Sequence, residues 1–344
     1  MIFFKAEANS SIGGGHLHRC ISIANECIEQ GLQVAFIFSD SASESIQKVK
    51  QLGFQSFEIP FETQLDFESY KDFVPSGSLI LFDTDNFHFY SGNLINKLHL
   101  QNIKTACYTI TDQHRITTDI IINSNIISKT HTYNSPKETI KLLGPEYLIF
   151  SPSFRSNTIV ERTIHCFENL LLFFGNADSH NLTSYFLDVI HKSQKNFKKI
   201  IVVVGPLNKH KEGIENKISN YSNLNIEYHY NTSQISKLYE RTDIAITAAG
   251  MTMWEMALYK IPQLVVASSE REIKYSKYLK TLRFIEYLGE FNNLQLTPKS
   301  QAIIIDDILD SNPFKTLALT DFKNAINPNG ITKMVSTFSK LVKN

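Results

Sequence analysis

Apolar residues in this chain occur in two alternating arrangements. Short unbroken runs, such as Ile2-Phe3-Phe4, Leu79-Ile80-Leu81-Phe82 and Ile200-Ile201-Val202-Val203-Val204, are separated by longer segments with apolar residues at every third or fourth position. An unbroken run suits a strand buried on both faces, and a spaced segment suits a helix with one covered face. The runs predict strands over residues 1–4, 33–38, 54–59, 79–82, 105–110 and 119–123, then over 169–174, 200–204, 244–247 and 262–267. Leu17, Cys20, Ile21, Ala24, Cys27 and Ile28 predict a first helix that stops at Gly31, and residues 41–52 a second that ends at Gly53. Strands alternating with helices predict parallel sheets covered on both faces.

The polar stretch 151–163, which carries Pro152, interrupts the alternation, and the pattern then restarts. At 344 residues the chain is long for one core. The expected architecture is α/β, two doubly wound domains with a cleft between them, over residues 1–155 and 165–344. The segment 331–342 has helical periodicity and could pack back across the domains.

Charge and composition narrow the function classes. Lys+Arg and Asp+Glu both count 34, so no overall field draws the chain to nucleic acid or to a membrane surface. With 42% hydrophobic and 20% charged residues, disorder is not expected. Cys20, Cys27, Cys107 and Cys166 form no C-x-x-C pair and suit neither a zinc site nor a disulfide framework. Met1 opens directly onto a strand, without the features of a signal peptide, and no apolar run approaches the roughly 18–20 residues of a membrane span. A soluble, cytoplasmic protein is the expectation.

Candidate chemistry gathers where predicted strands end. Ile12-Gly13-Gly14-Gly15-His16-Leu17-His18-Arg19-Cys20 joins the first strand to the first helix. Its glycines let backbone approach a ligand, and His16 would stand at the mouth of the sheet, where a neutral imidazole can act as a base. The positive helix end is expected to lower its pKa further. Asp83-Thr84-Asp85 and Thr111-Asp112-Gln113-His114 end two further strands. Asp85 and Asp112 could hold sugar hydroxyls or amides there, or serve as ordinary turn and N-cap residues. Ala249-Gly250-Met251-Thr252 opens a helix whose free amides suit a diphosphate, and Glu255, one turn on, could accept both ribose hydroxyls. Taken alone, that segment reads more simply as a turn and a helix start. Gly175-Asn176-Ala177-Asp178 and Gly205-Pro206-Leu207-Asn208 end two more strands and could approach phosphate and nucleobase, or form plain turns, with Asp178 as an N-cap. No motif supports a fixed metal, and no cofactor is expected.

As an ordered set these segments resemble the UDP-sugar hydrolases of pseudaminic acid biosynthesis, which act on UDP-2,4-diacetamido-2,4,6-trideoxy-β-L-altrose. The resemblance rests on Ile12, Gly13, Gly15, His16 and Arg19, on Asp119-Ile120-Ile121-Ile122-Asn123, and on Leu143-Gly144-Pro145-Glu146-Tyr147 with Phe154. It continues through Gly205, Pro206 and Asn208 to Gly250, Thr252, Trp254, Glu255 and Pro262. It implies a GT-B-like fold of two Rossmann-like domains, similar to the peptidoglycan N-acetylglucosaminyltransferase. The first domain would hold sugar or acceptor and the second UDP. His16 would activate water to attack the anomeric carbon with inversion. Gly13, Gly14, Gly15, Arg19, Asp85, Asp112, Arg271 and Glu272 would contact substrate. Gly175, Gly205, Asn208, Ala249, Gly250, Met251, Thr252 and Glu255 would contact the nucleotide. A monomer is the default that the resemblance implies. Three positions depart from the family pattern: an Asp-x-Tyr becomes Asp83-Thr84-Asp85, an Asn-Gln becomes Arg271-Glu272, and a Gly-Gly-x-Asp becomes Gly175-Asn176-Ala177-Asp178. The rival reading is an inverting glycosyltransferase on the same scaffold, and a third is a non-catalytic nucleotide-sugar-binding protein.

Overall fold

The computed structural model describes residues 1–6, 15–39, 42–155, 167–291, 297–311 and 313–342. They form two compact units, Met1–Arg155 with Asn327–Asn344, and Ser156–Ile326. Each is an α/β unit built on one parallel sheet.

The sheet of the first unit contains β1 (Ile2–Ala6), β2 (Val34–Ser39), β3 (Gln55–Ile59), β4 (Leu79–Asp83), β5 (Lys104–Tyr108), β6 (Ile120–Asn123) and β7 (Ile140–Leu143). Their spatial order is β3-β2-β1-β4-β5-β6-β7, so the direction of winding reverses between β1 and β4. Strand alternation sends the side chains of these central strands into two cores. Ile2, Phe4, Leu79 and Leu81 pack on one face with Cys20, Ala24 and Cys27 of α1 (Gly15–Glu29). Phe3, Ile80 and Phe82 pack on the other with Leu94, Ile95 and Leu98 of α3 (Asn93–Leu100). Two covered faces are the physical reason that the unbroken apolar runs were legible as strands. The remaining helices of this unit's first stretch are α2 (Ser43–Gln51) and the single turn α4 (Pro152–Arg155).

In the second unit the strands are β8 (Asn169–Phe173), β9 (Lys199–Val204), β10 (Ile226–Tyr230), β11 (Ile244–Ala248), β12 (Gln263–Ala267) and β13 (Glu286–Glu290). They lie in the order β10-β9-β8-β11-β12-β13, reversing between β8 and β11. The helices are α5 (Leu182–Lys192), α6 (Lys211–Asn220), α7 (Ile235–Glu240), α8 (Met251–Leu258), α9 (Glu270–Thr281), α10 (Pro298–Ser311) and α11 (Leu319–Asn324).

The sequence pattern passes over β7, β10 and β13, and all three are edge strands. Every residue of β10 and β13 is at least partly exposed, so neither presents an apolar run. The tail also departs from the expected second domain of 165–344. After α11 the chain returns to the first unit, and the second ends at Ile326. Helix α12 (Gly330–Val342) seats Ile331, Met334, Val335 and Phe338 in the core formed by β1, β4 and α1. Its start is fixed by close packing: a Cβ on Gly330 would stand 2.1 Å from the Glu146 carbonyl oxygen. Polar contacts reinforce the seat, with Gln30 Nε2 donating to the Thr332 carbonyl at 3.1 Å and Ser336 Oγ to Gln30 Oε1 at 3.3 Å.

Because Phe338 is fully buried, Phe338→Ala should destabilise the first unit by about 3–5 kcal/mol, the usual cost of truncating a core phenylalanine. Urea denaturation followed by circular dichroism measures it. A loss below about 1 kcal/mol would show that α12 contributes little to that core.

Candidate functional site

The register between β1 and β4 pairs Ala6 with Asp83, which puts Asp83 at the carboxyl end of the central strand where the winding reverses. Ligands of open parallel sheets bind at such ends. Helix α1 begins at Gly15, so His16 and Arg19, three residues apart, share one face of its first turn and both reach Asp83. His16 Nδ1 lies 2.7 Å from Asp83 Oδ1. Arg19 donates from Nε to Oδ2 at 2.7 Å and from Nη2 to Oδ1 at 2.5 Å, a two-pronged grip. The guanidinium lies over the Tyr108 ring, 3.8 Å from its centroid, and the Tyr108 hydroxyl is hydrogen-bonded to Ser124 Oγ. The Tyr90 hydroxyl donates to the carbonyls of Thr84 and Tyr108, which fixes the backbone after Asp83.

The electrostatics follow from this geometry. The Asp83 side chain has no solvent exposure. Burial pushes its pKa upward, but hydrogen bonds from His16 and Arg19 outweigh burial and hold the carboxyl below its usual range. A carboxylate can only accept, so Nδ1 of His16 carries the proton and Nε2 keeps the lone pair. The hydrogen bond to Asp83 raises the His16 pKa, against burial and the nearby Arg19 charge. This corrects the expectation that a helix end would lower it: a direct carboxylate contact is stronger than the partial charge of a helix terminus. Nε2 faces Asp85, whose Oδ2 is 3.8 Å away and whose side chain is 71% exposed.

Asp83, and not Asp85 of the same strand end, is the carboxylate that holds His16 Nδ1. The sequence signal for it was present, since Asp83 directly ends the run Leu79-Ile80-Leu81-Phe82. Gly13 and Gly14 lie outside the described residues, as do Ile12 and Cys166. His18 turns away from the cluster, with Nε2 3.2 Å from Lys48 Nζ. Asp112 clamps a loop instead of joining His16: its Oδ2 accepts from the Thr132 N–H at 3.0 Å, and His131 Nδ1 lies 4.0 Å from its Oδ1.

In the second unit Gly250 precedes α8 and brings no side chain to cap it. Ala249 and Thr252 are buried and Met251 is exposed. One turn on, the partly buried Glu255 accepts from the Tyr239 hydroxyl at 3.1 Å. Burial pushes its carboxyl up to about 7, and the Tyr239 hydrogen bond opposes this only in part. Gly175 adopts φ +84°, a left-handed conformation open to glycine. Gly205 is required by packing, because a Cβ there would stand 2.3 Å from Asn176 Cα. The turns after β8 and β9 are therefore stacked backbone on backbone. Asp178 accepts from the N–H groups of Leu182 at 2.7 Å and Thr183 at 2.9 Å, which ties it to the start of α5. Asn208 Oδ1 accepts from the His210 N–H at 2.7 Å, while its buried Nδ2 has no partner among the described residues.

Arg271 and Glu272 both lie in the first turn of α9. Arg271 is exposed. Glu272 is engaged locally: its carboxylate accepts from the N–H and hydroxyl of Ser268, both at 2.7 Å, and its own N–H donates to Ser269 Oγ at 3.4 Å. These contacts stabilise a helix start. Among the described residues no group of His, Cys, Asp and Glu could hold a metal ion. No described helix is long and apolar enough to cross a membrane.

No family model matches the chain. The uncharacterised protein MJ1062 of Methanocaldococcus jannaschii is 24% identical over 307 residues, 87% of this chain, which spans about 60% of that longer protein. Among solved structures, Acinetobacter baumannii MurG superposes with a TM-score of 0.69 at 13% identity, covering 98% of this chain and 99% of that one. Arabidopsis thaliana UGT89C1 complexed with UDP gives 0.62 at 12% identity, with 98% and 99% covered. The spinosyn rhamnosyltransferase SpnG complexed with thymidine diphosphate gives 0.60 at 12% identity, with 97% and 99% covered. At these identities the likeness shows the fold alone: two Rossmann-like α/β units.

The two carboxyls make a testable contrast. The Glu255 pKa is raised from 4.5 to about 7 in the folded protein, so folding favours the neutral acid and is weakened as pH rises from 4.5 through 7. Glu255→Gln should therefore stabilise the protein at pH 8 by up to about 3 kcal/mol and change little at pH 4.5. Urea unfolding at the two pH values reads the difference. Equal effects at both would mean that Glu255 is ionised as readily folded as unfolded.

Proposed function

We propose that this chain is an enzyme that cleaves the anomeric C–O bond of a UDP-sugar and passes the sugar, with inversion, to an acceptor hydroxyl. The observation that carries the reading is His16, held by Asp83 at the carboxyl end of a central strand, in a fold whose solved neighbours include glycosyltransferases. With Nδ1–H committed to Asp83, Nε2 removes the acceptor's proton as its oxygen bonds to the anomeric carbon. The C–O electron pair leaves with the diphosphate, and Asp83 stabilises the imidazolium. A base opposite the leaving group is what inversion needs. The departing charge is assigned to the uncapped amides at the start of α8, the ribose hydroxyls to Glu255, and further nucleotide contacts to the turns at Gly175 and at Gly205 and Asn208.

A second reading keeps the same bond cleavage with water as the acceptor, giving UDP and a free sugar. It is favoured by the ordered resemblance of Gly13, Gly15, His16, Arg19, Gly205, Asn208, Gly250, Thr252 and Glu255 to the hydrolases of pseudaminic acid biosynthesis. In that reading the sugar is a 2,4-diacetamido-2,4,6-trideoxyhexose. A cytoplasmic location and a monomeric state belong to either version of the proposal.

Incubation of the protein with UDP-2,4-diacetamido-2,4,6-trideoxy-β-L-altrose and with common UDP-sugars, alone and with saccharide acceptors, separates the readings. UDP release only with an acceptor supports transfer, and release with free sugar in buffer alone supports hydrolysis. His16→Gln should slow whichever reaction occurs by about 10²–10⁴-fold while leaving UDP affinity intact. Glu255→Ala should weaken UDP binding by about tenfold, measured by calorimetry. UDP that does not bind the wild-type chain would remove both readings.

A further inference from the structure

Arg19 is expected on sequence to contact substrate, but in the structure one edge of its guanidinium turns to the His16–Asp83 pair, with Nη2 also 3.2 Å from His16 Nδ1. The edge formed by Nε and Nη2 is spent on Asp83, and the guanidinium lies over the Tyr108 ring. Asp83 in turn touches His16 Nδ1, and Cys20 Sγ lies 3.5 Å from its other oxygen. We propose that Arg19 is a positioning residue that serves His16 and not the substrate: it cancels the charge of Asp83, so that Asp83 can orient the imidazole without holding it permanently protonated. This inference rests on the assignment of His16 as the base.

The charges around the imidazole make the logic explicit. Among the described residues, α1 contributes Arg19, β4 contributes Asp83, and the turn after β4 contributes Asp85. Tyr108 of β5 supports Arg19 from the far side. With neutral His16, Asp83 and Arg19 form a balanced pair. When Nε2 takes a proton the cluster gains one positive charge, and among the described residues the nearest further carboxylate is Asp85, 3.8 Å from Nε2. The two carboxylates thus have separate tasks. Asp83, balanced by Arg19, fixes the tautomer. Asp85 faces the nitrogen that gains the proton. Arg19 lowers and the two aspartates raise the proton affinity of His16.

The test is an NMR titration of the imidazole resonances of the full-length protein, with His16 identified among the 11 histidines by its loss in His16→Gln. In Arg19→Met the uncompensated Asp83 should raise the His16 midpoint by about 1 pH unit. Arg19→Lys, which keeps the charge, should return it toward the wild-type value. Asp85→Asn should move it in the opposite direction. If Arg19→Met does not fold, Arg19→Gln, whose amide can still donate to Asp83, is titrated in its place with the same expected rise. A midpoint at or below that of the wild type in the folded Arg19 variant overturns the proposal. The acid limb of kcat/KM gives an independent reading. If the NMR midpoint rises and the acid limb does not follow, the Arg19–His16 coupling stands and the assignment of His16 as base fails.

Discussion

The chemistry of the first unit depends on one buried charge. Asp83 ends a central strand with no exposure to solvent, where an isolated carboxylate would be strongly disfavoured. Two donors on the first turn of α1 resolve this, Arg19 with two hydrogen bonds and His16 with one. The same contacts that make the carboxylate tolerable also dictate the imidazole tautomer. Structural necessity and the orientation of a candidate base are thus one arrangement. It requires strand β4 to stop at residue 83 and helix α1 to start at residue 15, so that the two ends meet.

Glu255 in the second unit shows the opposite outcome for the same functional group. It is partly buried, and its partner is a tyrosine hydroxyl, which brings no charge. Its proton affinity is therefore raised where that of Asp83 is lowered. The first carboxylate is fixed in its ionised form, whereas the second stands near the midpoint of titration at neutral pH. A ligand that donates hydroxyls to Glu255 would favour ionisation, which couples occupancy of that position to its protonation.

Legibility in the sequence followed burial, with the partly exposed edge strand β3 as the exception. Central strands such as β1, β4, β8 and β11 are covered on both faces and announce themselves as apolar runs. The edge strands β7, β10 and β13 share their backbone hydrogen bonding but not their burial, and side-chain pattern cannot register a backbone contact. Candidate residues divided in the same way. His16 was legible because glycines and a strand-to-helix turn surround it. Asp83 was seen as a strand end, but its importance lies in contacts 64 and 67 positions away along the chain. Asp112 and Glu272 were legible as polar residues at strand and helix ends, and their local hydrogen bonds give them structural work as a loop clamp and a helix-start contact.

The sequence by itself determined the alternation of strand and helix, the break near residue 155, the two-sheet α/β class, and the placing of His16 and Glu255 beside the starts of helices. Each of these depends on neighbours within a few residues, or on burial strong enough to fix residue type. Tertiary structure alone decided that α12 completes the core of the first unit, that Gly205 must lack a side chain to lie against Asn176, and that Asp83 is the carboxylate that holds His16. Those outcomes are set by the order in which strands pair and by where their ends meet. Pairing order arises from the packing of whole faces, a property that no local stretch of sequence contains.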